Sequence, residues 1–124
     1  MAKYHIPGPA LDLARTTARR VRELEVQAQK ALYTHGDVAG HRESLVEKCR
    51  RIAALPDAVE VLLPQPGTDD MTIFVAGLEG LAERAEMGLS LESIFFMGSL
   101  LYPEDYHEGD PNDLERFLDQ FTAV

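Results

Sequence analysis

Cysteine is nearly missing from this sequence: Cys49 is the only one in 124 residues. No disulfide can close within the chain, and a zinc site built on several thiolates is excluded. A lone thiol on a helix is expected to pack as a small hydrophobe rather than act as a nucleophile. Long apolar runs are missing too, since none approaches the roughly 18–20 residues that span a bilayer. Met1–Ala10 lacks the charged, apolar and small-residue regions of a secretory signal. The expectation is a cytoplasmic protein with no membrane partner. No Gly-rich phosphate loop, G-x-S-x-G or H-E-x-x-H appears, so nucleophilic and zinc-protease mechanisms have no support. No catalytic residue, metal ligand or cofactor is assigned.

Positive charge is scarce after residue 51. Residues 1–51 hold ten Lys/Arg against six Asp/Glu, and residues 52–124 hold two against fifteen. The halves therefore carry +4 and −13, which together make the formal net charge of −9. Such lopsidedness fits a nucleic-acid surface beside an acidic face, or one half of the molecule, or one subunit, attracting the other.

What is present is the make-up of a folded chain, 45% hydrophobic and 27% charged. That length and balance suit one domain, residues 1–124, with a single core. Leu11, Ala14, Ala18, Val21, Leu24, Ala28, Ala31 and Leu32 recur in steps of three and four, which predicts one long helix with a buried stripe between Pro9 and Thr34. Proline suits the first turn, where an N–H would have no partner, and Gly36 suits the left-handed stop. Asp37 is then the predicted cap of a second helix, Val38–Ala54, closed by Pro56. Two helices joined by so short a turn must be antiparallel. Val59–Leu63 is expected to form a short helix, because a lone strand would leave its backbone unpaired. Ile73–Met87 reads as a third helix, and Ser90 as the cap of a fourth containing Ile94, Phe95, Phe96, Met97, Leu100 and Leu101. Asp110, with Pro111 after it, is the expected cap of a last helix bearing Leu114, Phe117, Leu118 and Phe121. The expected fold is all-α: a compact antiparallel bundle of about five helices, led by a long helical hairpin.

Three constellations could carry a function. Arg15, Arg19 and Arg22 follow one helical stripe, with Arg20 beside it, and an antiparallel second helix returns Lys48, Arg50 and Arg51 to the same neighbourhood. Guanidinium groups bind phosphate oxygens two at a time, so this patch would grip a nucleic acid in a salt-sensitive, sequence-tolerant way. The competing reading is a solvated helix surface paired with the acidic half. The fourth helix is apolar nearly all round, which places Ile94, Phe95, Phe96, Met97, Leu100 and Leu101 in the bundle centre, in a subunit interface, or in both. Glu79, Glu83 and Glu86 form a carboxylate stripe that could hold Mg²⁺ for phosphodiester cleavage, or simply be a wet helix face. His35 and His41, with Asp37 and Glu43, flank the first turn at a spacing that matches no recognised metal site.

The run RTTARRVRELEVQAQKALYTHGD, Arg15–Asp37, resembles the basic opening helix of translin-type proteins, and GLEGLAERAE, Gly77–Glu86, is similar to that family's acidic helix. The resemblance covers about half the chain. It implies a helical bundle that closes into an oligomer and binds single-stranded RNA or DNA, with metal-dependent endoribonuclease activity in the catalytic relatives. Glu83 matches the second position of the family's acidic pair, but Gly80 stands at the first and cannot ligate a metal; the arginine-rich GELRR stretch has no counterpart. The resulting expectation is a homo-oligomeric helical protein that binds single-stranded nucleic acid without catalysis. A protein-interaction or assembly module is the alternative, and a metal-dependent endoribonuclease the third.

Overall fold

The computed structural model describes residues 2–124. Its order is β1 (Tyr4–Ile6), α1 (Gly8–Tyr33), α2 (Val38–Glu60), α3 (Asp69–Leu91), α4 (Ile94–Ser99), α5 (Asp113–Leu118) and β2 (Phe121–Ala123). The molecule is predominantly helical, as the periodicity predicts. The α1 stripe is buried at Leu11, Ala14, Ala18, Val21, Leu24 and Ala28. Each large aliphatic or aromatic side chain so buried contributes about 1.5–3 kcal/mol.

The first turn follows its sequence signals. Gly36 has φ of 61°, in the left-handed region that costs glycine little. Asp37 accepts a hydrogen bond from the Gly40 N–H at 2.9 Å. A side chain at Gly40 would collide with that carboxylate. The glycine that weakens α2 by roughly 1 kcal/mol in propensity therefore makes room for its cap.

Later boundaries differ from expectation. Pro56 does not end α2, which continues to Glu60; of the short helix expected at Val59–Leu63, only Val59 and Glu60 are helical, as the end of α2, and Val61–Leu63 form a turn. An interior proline costs about 3 kcal/mol, and burial of Leu55, Pro56 and Val59 in that turn offsets it. Thr68 caps α3, so that helix starts before Ile73. It also runs past Gly88, because that glycine is a packing site: a Cβ there would lie 3.0 Å from Met97 Cγ. Glu92, in the left-handed region with φ of 51°, makes the stop. Ser93 rather than Ser90 then caps α4, accepting from the Phe96 N–H at 3.1 Å. At α5 the cap is Asn112 rather than Asp110, in a capping box with Glu115.

The two strands have no precursor in the reading of the sequence. They pair in parallel, Tyr4 with Phe121 and Ile6 with Ala123, and tie the two ends of the chain together. Lys3 and Tyr4 both donate backbone N–H groups to the Gln120 carbonyl, at 2.8 and 2.9 Å. Beneath the pair, Phe121 packs against Tyr4, Phe74 and Phe117 with ring centroids 4.9–5.2 Å apart. Gly77 of α3 admits the Phe117 ring into space a Cβ would occupy. Among the described residues no helix is long and apolar enough to cross a membrane.

Candidate interaction surface

The basic residues of α1 and α2 do not share one open face. Lys48 is completely buried; its Nζ lies 2.8 Å from Glu25 Oε2 and donates to the Gly98 carbonyl at 3.3 Å. Arg22 is committed to the C-terminal half. Its Nε and Nη2 donate to the two Glu115 carboxylate oxygens at 3.0 and 2.6 Å, and Nη2 also reaches the Asp110 carbonyl at 3.0 Å. Arg20 pairs with Glu23 on its own helix, and Arg51 with Glu47. At about 100° per residue, Arg20 lies some 160° round α1 from Arg22. Arg15, Arg19 and Arg50 remain exposed, and among the described residues no carboxylate is within ion-pair distance of them. Arg15 instead donates to the Phe121 carbonyl at 3.3 Å.

Arg22 and Lys48 bracket a polar network. Tyr102 donates to Glu25 Oε1 and accepts from Arg22 at 3.3 Å, while Tyr106 donates to the Asp110 carbonyl at 2.7 Å. The two tyrosine rings meet edge to face at 4.6 Å, and both cations lie over the Tyr102 ring. Burial, with the Glu25 hydrogen bond second, pushes the Tyr102 hydroxyl above its ordinary range, so it remains a neutral donor. The Glu115 hydrogen bonds hold the Arg22 guanidinium still more firmly protonated. Burial likewise pushes the Cys49 thiol up to about 11, as expected of an inert packing residue.

Glu115 provides a pH prediction. Hydrogen bonds from Arg22 hold its carboxyl below the usual range, against the opposing effect of burial. A carboxyl whose folded pKa is depressed adds stability above its unfolded pKa, roughly 4.3, and loses it as pH falls through the lower folded value. Urea midpoints for Glu115→Gln should therefore lie below wild type at neutral pH. The gap should close on acidification below about pH 4.

Arg22, Glu25, Tyr102 and Tyr106 of this network line a groove of about 730 Å³ between α1, the start of α2 and α4. All four are already partnered within the chain. Exposed apolar side chains gather in it, Phe95 84% exposed, Tyr33 81% and Val26 50%, with Leu45 and Ile94 more buried, beside the exposed polar Gln29 and Glu108. The six residues assigned to an oligomer interface thus separate. Met97, Leu100 and Leu101 are buried in the molecule's own core, Ile94 and Phe96 are half-buried, and Phe95 alone stands out in solvent. Val26 and Tyr33 escaped sequence reasoning because their positions fall outside the buried stripe of α1. Two apolar residues on the wet side of an amphipathic helix, seven apart, were the available signal.

The remaining candidates are dispersed. Glu79, Glu83 and Glu86 are exposed on α3, and among the described residues no three His, Cys, Asp or Glu side chains converge as a metal ion would require. His41 Nδ1 lies 2.8 Å from the Ala28 carbonyl, where it stitches the hairpin, while His35 is exposed in the turn. Comparison with known proteins finds no matching family model, no matching curated protein and no matching solved structure.

Proposed function

We propose that the protein is an interaction module that receives an apolar segment of a protein partner in the groove between α1 and α4. One observation carries this: Phe95, Tyr33 and Val26 line a single concave surface whose charged lining groups Arg22 and Glu25 are ion-paired within the chain. Isolated exposed apolar residues are ordinary, but several gathered in one hollow mark a docking site. Aromatic side chains at the centre of such a site carry most of its binding energy. Charges already paired lose little when water leaves them.

The test is a fluorescence titration with an anilinonaphthalene sulfonate dye, which brightens in apolar clefts. Wild type should bind it, and Phe95→Glu should weaken binding by about tenfold or more, the loss of roughly 1.4 kcal/mol. Circular dichroism checks that the variant stays folded. Equal dye binding by both proteins would remove the groove as a docking site.

Single-stranded nucleic-acid binding by an oligomer, as the translin-like stretches imply, is a second reading. It is supported by Arg15, Arg19 and Arg50, the three exposed basic residues of the proposed seven with no carboxylate in ion-pair range. With about three phosphates contacted, the logarithm of affinity for a labelled strand should fall with the logarithm of salt at a slope near −2. Arg19→Glu should lower that slope, whereas Phe95→Glu should leave it alone.

A further inference from the structure

Residues 52–124 hold two basic side chains, Arg84 and Arg116, against fifteen acidic ones. Both line one pocket of about 360 Å³ between α3 and α5. We infer that this pocket binds a small aromatic carboxylic acid, independently of the groove between α1 and α4.

The walls of the pocket follow from helical spacing. Gly77, Gly80, Leu81 and Arg84 stand at i, i+3, i+4 and i+7 on α3 and so share one face. Asp113, Arg116, Phe117 and Gln120, on α5 and the turn after it, face them at the same spacing. The trough opens where α3 has no side chain. At Gly77 the Phe117 ring takes the vacated space, so packing within the chain accounts for that glycine. Gly80 has no such account, since a Cβ there would meet nothing within 4 Å. Glycine inside a helix is destabilising relative to alanine, and the fold's own packing gives nothing back at Gly80. What the missing side chain does provide is bare backbone that a ligand can approach closely, beside the apolar Leu81 and Phe117. That surface suits a flat apolar ring.

The two cations are set for an anion. Arg84 is anchored through Nη1 alone, which donates to Asp113 Oδ2 at 2.7 Å and to the Leu100 carbonyl at 3.2 Å. Its guanidinium is thereby held in place, while Nε and Nη2 donate to no acceptor among the described residues. Arg116 is exposed and in no ion pair among the described residues. Gln120 is steadied by its backbone carbonyl, which accepts from the Lys3 and Tyr4 N–H groups, and its side-chain amide is a further donor. Guanidinium forks bind carboxylate or phosphate two oxygens at a time, and charge selects between the two. Arg84, Arg116 and Asp113 give the lining a net charge of +1, which a single negative charge neutralises. The acids nearby do not line the pocket. Glu115 is paired with Arg22, Glu83 lies about 100° round α3 from Arg84, and Asp119 is exposed just beyond α5. With Asp113, the unpaired Glu83 and Asp119 disfavour a doubly charged phosphate more than a singly charged carboxylate.

Isothermal titration of the full chain with benzoate, at neutral pH and low chloride, tests this. Wild type should bind benzoate with a dissociation constant of about 1 mM or tighter. Benzamide, similar in shape but uncharged, and phenyl phosphate, with its greater charge, should each bind about tenfold or more weakly than benzoate. Arg116→Gln changes an exposed position, so folding should be little affected, and it should weaken benzoate binding about tenfold or more. Gly80→Leu puts a side chain into the vacant space; it should keep or raise the thermal unfolding midpoint while abolishing benzoate binding. Phe95→Glu, in the other groove, should leave benzoate binding unchanged. A wild type that takes up no benzoate at about 10 mM overturns the site, and so does equal binding of benzamide. Arg116→Gln with unchanged affinity overturns it even where Gly80→Leu fails to fold. A folded Gly80→Leu that still binds benzoate, or a Phe95→Glu that loses it, places the anion elsewhere and overturns the pocket. Phenyl phosphate bound as tightly as benzoate overturns the carboxylate.

Discussion

Replacing Lys48 with methionine should lower the unfolding free energy by about 3–5 kcal/mol, the loss characteristic of a buried ion pair deprived of one partner. The Lys48 amine lies at 0% exposure between the Glu25 carboxylate at 2.8 Å, the Gly98 carbonyl at 3.3 Å and the Tyr102 ring. Methionine would fill the channel left by the lysine stem but would leave the Glu25 carboxylate without its counter-charge. Glu25→Gln should be damaging for the mirror reason, since it strands an ammonium group in the same place. The double variant is the informative one. With both charges gone and the volume kept, the site becomes a neutral contact between Tyr102, glutamine and methionine, and stability should return to within about 1–2 kcal/mol of wild type. Urea unfolding of the four proteins measures the coupling. Additive losses would mean that the two side chains do not depend on each other. Because Glu25 and Tyr102 both line the groove, the single variants should also loosen it and weaken dye binding, while the double variant restores it.

The same residue shows where sequence patterns stop being informative. A lysine between Glu47 and Cys49 in a helix reads as a charge on a wet face, because lysine is almost never fully buried unless paired. Its partner Glu25 lies twenty-three positions away on another helix, beside the apolar Leu24 of α1. Local spacing reports which face of a helix is buried, and so the hairpin of α1 and α2, the cap at Asp37 and the stop at Gly36 were all legible. It does not report which polar residue at the edge of that face meets another across the interface. Arg22 belongs with Arg15 and Arg19 by spacing, yet its partner Glu115 is ninety-three residues further on. The groove was half legible: an all-round apolar α4 signalled a dual role, but Phe95 could be separated from Met97, Leu100 and Leu101 only once the packing was known. Boundaries failed where one residue type serves two purposes. Gly88 and Pro56 resemble stops, and each lies instead at a buried position inside a continuing helix.

Phe121→Ala should be comparably destabilising, by about 3–5 kcal/mol, and its effect should be uneven along the chain. Phe121 is 1% exposed and touches three aromatic rings from three different parts of the sequence: Tyr4 at 5.2 Å, Phe74 at 4.9 Å and Phe117 at 5.0 Å. Strands of three residues are below the length at which a two-stranded pair holds itself together, so the β1–β2 pair depends on this cluster. Removing the ring should therefore open the pair at both ends of the chain before the helices melt. Amide hydrogen exchange should rise first in residues 4–6 and 121–123, with α1 and α2 retaining protection close to the global value. Phe121→Leu, which keeps most of the apolar volume, should cost less than about 1.5 kcal/mol and leave the strands protected. If alanine raised exchange uniformly, the strand pair would be as deeply built into the fold as the helical hairpin. If the two termini exchanged freely already in wild type, the aromatic cluster would stand without the strands. The sequence pattern favours neither result: Phe121 reads as the last inward residue of an α5 extended by one turn. The chain instead leaves the helix at Asp119, and Phe121 enters the same core from a strand.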